Sequence, residues 1–203
     1  MLLTISIPEA QGAVRLPPGV LESSEEEFFR FCQSNRDLRI ERSAEGEITV
    51  MSPAGGYSGF QNAKVVSQLD AWATKDGTDI AFDSSTRFRL PSGAIRSPDA
   101  AWVGLARLQA LSPQEKQQFV PLCPDFVIEL ASPSDDVAAL RHKMEEYRAA
   151  GLRLGWLIMP ESKQVEAYID AATHTLASPS MVSGEPVLPG FTVELALIWN
   201  PPF

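Results

Sequence analysis

Residues 124–160, “PDFVIELASPSDDVAALRHKMEEYRAAGLRLGWLIMP”, constrain the fold more than any other stretch of the chain. The run “DFVIELA” is too short for a helix, and its composition suits a buried strand. “SPSDD” then offers several side chains able to cap a helix. In “VAALRHKMEEYRAAG” Leu140, Met144 and Tyr147 recur at i, i+4 and i+7, the spacing of one helical face, and Gly151 suits its end. “LGWLIMP” is a second buried strand. Strand, helix and strand in this order point to an α/β architecture.

The remaining chain fits that frame. “LESSEEEFFRFCQSN” reads as a short helix capped by Ser23 or Ser24, each with a glutamate three residues on. “LRIERSAEGEITVMSP” alternates around an “AEGE” turn, as a β-hairpin does. After “PAGGYSGF”, the residues Phe60, Ala63, Val66, Leu69 and Ala73 predict a helix with one apolar stripe. “DIAFDSS”, “TRFRL” and “PDAAWV” are short strand candidates, and “LARLQALSPQEKQQF” a helical excursion. “KQVEAYI” and “HTLAS” add strands before a Pro- and Gly-punctuated tail. A mixed β-sheet flanked by helices accounts for the order. With 203 residues, a single domain over 1–203 is expected, residues 1–21 forming an extended lead-in.

Composition excludes more than it assigns. No apolar run approaches the roughly 20 residues that cross a bilayer, so no membrane partner is expected. The first residues lack a basic segment and a cleavage site, and a cytoplasmic location is the expectation. A net charge of −9 argues against broad coating of a polyanion, while leaving room for a local basic groove or a bound divalent cation. Cys32 and Cys123 match no zinc or redox spacing and read as buried small hydrophobes. With only His142 and His174 beside them, a zinc site is not supported. No nucleophile elbow, phosphate-binding loop or dinucleotide glycine fingerprint occurs, and no small-molecule cofactor is expected.

The acids carry more information. Asp125 and Glu129 are four residues apart on one strand and share a face. At a rise of about 3.3 Å per residue their Cα atoms are roughly 13 Å apart, too far for both to ligate one small cation. Asp125, beside Pro124, therefore reads as a solvated strand-entry residue. Glu129 lies between Phe126, Val127 and Ile128 on one side and Leu130 and Ala131 on the other. A carboxylate there needs a cation, a donor or an open cleft, or must stay protonated. Capping the next helix or pairing with an arginine would satisfy it equally well. Asp99, in “SPDAAWV”, begins another apolar strand, where a turn-ending Pro-Asp is the plain alternative. Acids on neighbouring strands can converge as two acids on one strand cannot. Lys143 falls inside the Leu140–Met144–Tyr147 arc and can turn back toward Glu129, although a packed stem with its head in water fits the same position. Two carboxylates holding Mg²⁺ beside a lysine ammonium would suit phosphodiester hydrolysis.

With “SPDAAWV”, “PDFVIELASPSDD”, “HKMEEYRAAGLRLGWLI” and “VLPGF” in this order, the chain resembles the Uma-two family of bacterial proteins from about Glu22 to Trp199. These are labelled restriction-endonuclease-like and placed in the PD-(D/E)XK nuclease superfamily. The resemblance implies an αβββαβ core and a DNA substrate. It implies Mg²⁺, with Mn²⁺ as a substitute, held by Asp99, Glu129 and the backbone carbonyl of Leu130. It also implies catalysis by Asp99, Glu129 and Lys143 and, by analogy, a homodimer. The superfamily's E-x-K spacing would put a lysine at Ala131; in this family the following helix commonly supplies it, which matches Lys143. Tyr57 stands where related sequences often carry glutamate, and Asn62 or Glu41 are substitutes that have structural explanations as well. That departure keeps a second reading open, a non-catalytic binding or regulatory module with the nuclease fold.

Overall fold

A computed structural model describes residues 13–16, 24–77 and 79–203. Most of the expected lead-in over 1–21 lies outside these residues, but Ala13–Leu16 form β1. Helix α1 (Glu25–Ser34) begins at Ser24, one of the two candidate caps. The Ser24 hydroxyl accepts from the Glu27 N–H at 3.3 Å while Glu27 Oε2 accepts from the Ser24 N–H at 2.9 Å, a reciprocal capping box. Strands β2 (Arg39–Arg42) and β3 (Ile48–Met51) form the expected antiparallel hairpin.

Helix α2 (Gly56–Asp76) ends at Gly77, whose φ of 73° suits a residue without a Cβ. Its buried stripe differs from the expected one. Gln61, Val65, Leu69 and Ala73 face the core, whereas Ala63 is exposed. The cause is Gln61, whose Nε2 donates to the Ile198 carbonyl at 2.7 Å. A polar residue can hold a core position when a distant backbone acceptor satisfies it, and apolar spacing cannot show this.

Next come β4 (Asp79–Asp83), β5 (Phe88–Arg89), β6 (Ile95–Arg96), β7 (Ala100–Gly104) and the short α3 (Leu105–Gln109). The helical excursion stops there except for a single 3₁₀ turn at Glu115–Gln117, consistent with Pro113 in the segment. Strand β8 (Phe126–Leu130), helix α4 (Val137–Ala149) and strand β9 (Leu154–Met159) form the strand–helix–strand unit. Strands β10 (Gln164–Ile169), β11 (Ala172–Ala177), β12 (Met181–Ser183) and β13 (Thr192–Glu194) precede α5 (Ala196–Trp199).

The larger sheet runs β11-β10-β9-β8-β7-β4, parallel only between β8 and β9. A second sheet runs β1-β3-β2-β6-β5, and β12 pairs with β13. Taken in chain order, α2, β4, β7, β8, α4 and β9 supply the αβββαβ succession, so the fold is α/β with a mixed sheet flanked by helices.

The two faces of β8 divide the core. Phe126, Ile128 and Leu130 join Val65, Leu69, Trp156 and Phe191 in one apolar cluster. Val127 and Ala131 join Met144, Tyr147 and Leu157 in another, under α4. Glu129 has the parity of Val127, so it points at α4. That helix packs closely on β9: a Cβ at Gly155 would lie 2.5 Å from Met144 Cε and 2.7 Å from Leu152 Cδ2. The second sheet is likewise two-sided. Ile40, Ile48, Val50 and Ile95 pack with Phe28 and Cys32 of α1, while Arg39, Glu41 and Arg96 lie at alternate positions on the opposite face.

Candidate active site

Antiparallel pairing sets Ala100 opposite Ile128, and one further step of that register sets Asp99 opposite Glu129. Both acids have the parity of the face under α4. Asp99 is anchored at both oxygens: Oδ2 accepts from the Leu130 N–H at 2.8 Å, and Oδ1 meets Arg39 Nη1 at 2.7 Å. Lys143 reaches Glu129 Oε1 at 2.8 Å from α4. Its ammonium also contacts Glu41 Oε1 at 2.8 Å and the Ser97 carbonyl at 3.5 Å. The Tyr147 hydroxyl donates to Glu129 Oε1 at 3.1 Å, one helical turn beyond Lys143.

Arg39 and Arg96 were not foreseen, and Glu41 only as a substitute for the upstream acid. Arg39 and Glu41 of β2 enter from the second sheet, and Glu41 also accepts from the Ser97 N–H at 2.8 Å and pairs with Arg96 at 3.3 Å. Arg96 in turn meets Glu146 at 2.5 Å, and Arg39 also donates to the Ser97 carbonyl. Within β2 the signal for Arg39 and Glu41 is two charges two apart in “RIER”, which places both on one face. Of the two proposed substitutes for the upstream acid, Glu41 joins the cluster. None of the cluster's hydrogen bonds involves Asn62. Tyr57 is exposed and stacks on Phe203, with ring centroids 5.2 Å apart.

Charge balance in this pocket is tight. Glu41, Asp99, Glu129 and Glu146 face Arg39, Arg96 and Lys143, four acids against three bases. Burial pushes the Glu129 carboxyl up to about 7, with Asp99 and Glu41 adding repulsion that Lys143 only partly offsets. Burial also opposes ionising Glu41, but Lys143, Arg96 and Arg39 outweigh it and hold that carboxyl below its usual range. Burial disfavours the Lys143 ammonium, yet Glu129 and Glu41 keep its pKa above the ordinary value. Solvent reaches the cluster at its edges: the Arg39 side chain is 28% exposed, that of Glu146 15% and that of Asp99 11%, against 2% for Glu129. Arg39 Nε is buried without a hydrogen-bond partner.

The donor set suits a hard cation. Two carboxylates from neighbouring strands offer oxygen only, the ligand type of Mg²⁺ and Mn²⁺. Among the described residues no three acids, histidines or cysteines group to cage an ion by themselves. Lys143 stands between Glu41 and Glu129, so any cation would rest on Asp99 and Glu129, supplemented by backbone and water oxygens. Mg²⁺ accepts such sparse protein ligation.

Asp125 corrects an expectation. Instead of being solvated it is buried, with Oδ2 accepting from the Gly104 N–H at 3.0 Å and Oδ1 paired with Arg107 at 2.9 Å. It lies at the start of α3, where a backbone donor and a helix arginine satisfy it. It remains outside the cluster.

Among the described residues, no helix is long and apolar enough to cross a membrane. A search of curated proteins finds no match. Among solved structures, “a putative nuclease belonging to DUF820” from Anabaena variabilis is similar in fold, with a TM-score of 0.65 and 18% identity, covering 79% of this chain and 89% of that one. A family profile described as “Putative restriction endonuclease” matches residues 25–197, almost the whole described chain. That span includes every residue of the acid–lysine cluster, and the chain belongs to the Uma2 family of restriction-endonuclease-like proteins.

Proposed function

We propose that this chain is a Mg²⁺-dependent endonuclease that hydrolyses DNA phosphodiester bonds. The observation that carries the reading is Asp99 facing Glu129 across β7 and β8 with Lys143 seated on Glu129. Asp99, Glu129 and the carbonyl of Leu130 would hold the cation; when bound, it supplies charge neutralisation at the phosphate and a more acidic water. Lys143 has its ammonium fixed by Glu129, Glu41 and the Ser97 carbonyl. So fixed, it can stabilise negative charge developing on a phosphate oxygen without reorganising. Glu41 acts through Lys143 and is a positioning residue. The Arg39 side chain, partly exposed beside Asp99, would meet an approaching phosphate.

The test is nicking of supercoiled plasmid with Mg²⁺ or Mn²⁺, alongside calorimetric titration of the metal. Wild type should cleave, and Asp99→Ala and Glu129→Ala should each lower the rate by a hundredfold or more, on the order of removing an electrostatic group from an active site. Both should also weaken metal binding. Wild type inert on supercoiled, linear and single-stranded DNA would instead support a non-catalytic module. Asp99→Ala cleaving like wild type would remove the site assignment.

A further inference from the structure

A groove of about 530 Å³ lies between the second half of α1, the segment after β4 and the segment before β8. Its apolar lining includes Phe29, Phe82 and Phe119, and its cations are Arg36, Arg87 and Lys116. No acid lines it, in a chain whose net charge is −9. Two carboxylates next to the lining are engaged in their own turns: Asp83 Oδ1 accepts from the Ser85 N–H at 3.0 Å, and Glu115 Oε2 from the Ser112 N–H at 2.8 Å. The three cations contact neutral oxygens. Arg36 donates to Gln33 Oε1 at 2.9 Å, Arg87 to the Ile40 and Leu38 carbonyls at 3.0 and 3.1 Å, and Lys116 to the Gln109 carbonyl at 3.5 Å. Their charge remains available to an anion.

The groove is tied to the acid–lysine cluster by short hydrogen-bonded links. The carbonyls that hold Arg87 flank Arg39, the arginine on Asp99. The Ser97 hydroxyl donates to the Ser84 and Thr86 carbonyls at 2.6 and 3.1 Å, while the Ser97 carbonyl accepts from Lys143 at 3.5 Å.

We infer that this groove binds an unpaired DNA strand, with phosphates on Arg36, Arg87 and Lys116 and a base against Phe29 and Phe82. The chemistry is that of single-strand recognition, cations that track the backbone beside aromatic surfaces that accept any base. A duplex, its bases stacked inside, would leave those apolar walls unused. The inference rests on the nuclease reading for its choice of polymer and adds the form in which the substrate enters.

Fluorescence anisotropy in EDTA, with a short mixed-sequence single strand and its duplex, separates this from cleavage. Wild type should bind the single strand more tightly than the duplex. Arg36→Gln with Lys116→Gln, both on exposed side chains, should weaken single-strand binding about tenfold and make the slope of log K against log salt shallower by about 1.4, two phosphate contacts' worth. Adding Arg87→Gln, checked by thermal melting because Arg87 braces β2, should lower it further. Absence of binding, a duplex preference or an unchanged salt slope would overturn the groove assignment. So would variants that change only the oligomeric state in light scattering, which would assign the groove to a second copy. Wild type that binds single strands through these cations yet cleaves nothing with Mg²⁺ or Mn²⁺ would leave the groove standing and remove the nuclease reading.

Discussion

Asp125 and Glu129 are acids of the same short segment, and both are buried, 5% and 2% exposed. Their surroundings differ in kind. Asp125 has a backbone donor and Arg107, with Arg153 at 4.0 Å, so positive partners outnumber it. Glu129 has Lys143 and the Tyr147 hydroxyl, but it shares Lys143 with Glu41 and faces Asp99. Burial alone therefore does not distinguish the carboxylate proposed to hold a cation from a structural one. What distinguishes them is a surplus of like charge around Glu129, held together by a few cations and suited to one more.

The largest test of that contrast is Lys143→Ala. Removing one partner from a buried ion cluster costs about 3–5 kcal/mol, because the remaining charges lose compensation without gaining water. Urea unfolding of the metal-free protein should show a loss in that range. A loss below about 1 kcal/mol would mean that the cluster rearranges or hydrates freely. Adding Glu129→Gln to Lys143→Ala should recover part of the loss, since it removes one of the stranded charges.

The second test uses pH. The Glu129 carboxyl is raised in the folded protein to about 7 from an ordinary value of 4.5. The folded state then binds the extra proton, so this group's stabilisation is complete below its unfolded value and is lost as pH rises through about 7. Other shifted groups of the cluster act elsewhere. Glu41 is lowered, so its contribution is lost in acid; Lys143 and Tyr147 are raised, so theirs are lost only in alkali. Melting of the metal-free protein should therefore decline between pH 5 and pH 8, by on the order of 2–3 kcal/mol at most. Glu129→Gln should flatten that slope. An equal slope in the variant would place the titration on another group.

These tests also mark what is readable along the chain. β8, α4 and β9 were predictable because strand length, capping residues and helical spacing are local. Lys143 was predictable for the same reason: its place in the Leu140–Met144–Tyr147 arc needs one helix only. The groups that balance the cluster come from far away. Arg39 reaches Asp99 across 60 residues, Arg96 reaches Glu146 across 50, and Lys143 reaches Glu41 across 102. Those contacts exist because the polar face of the second sheet closes over α4, a packing event with no local pattern beyond two charges of like parity in β2. Asp125 misled for the opposite reason. A Pro-Asp at a strand start suggests exposure, and its burial depends on α3 folding over it with Arg107 in place.

Arg107→Ala is the smallest test and the sharpest for the structural acid. The Arg107 side chain is 42% exposed, so water already competes for its guanidinium and screening weakens its pull on Asp125. After truncation Asp125 keeps the Gly104 N–H and gains room to draw on Arg153, which starts only 4.0 Å away. The loss on urea unfolding should be about 1 kcal/mol or less, and smaller still in high salt. Cleavage and metal affinity should stay at wild-type levels, because neither Arg107 nor Asp125 makes a hydrogen bond to the cluster. A loss as large as that of Lys143→Ala would mean that Asp125 is as short of compensation as Glu129, and the distinction between the two acids would fall. A small loss with intact metal binding would leave it resting on what the structure places around each: one acid with spare donors, and one with too many acids for its single lysine.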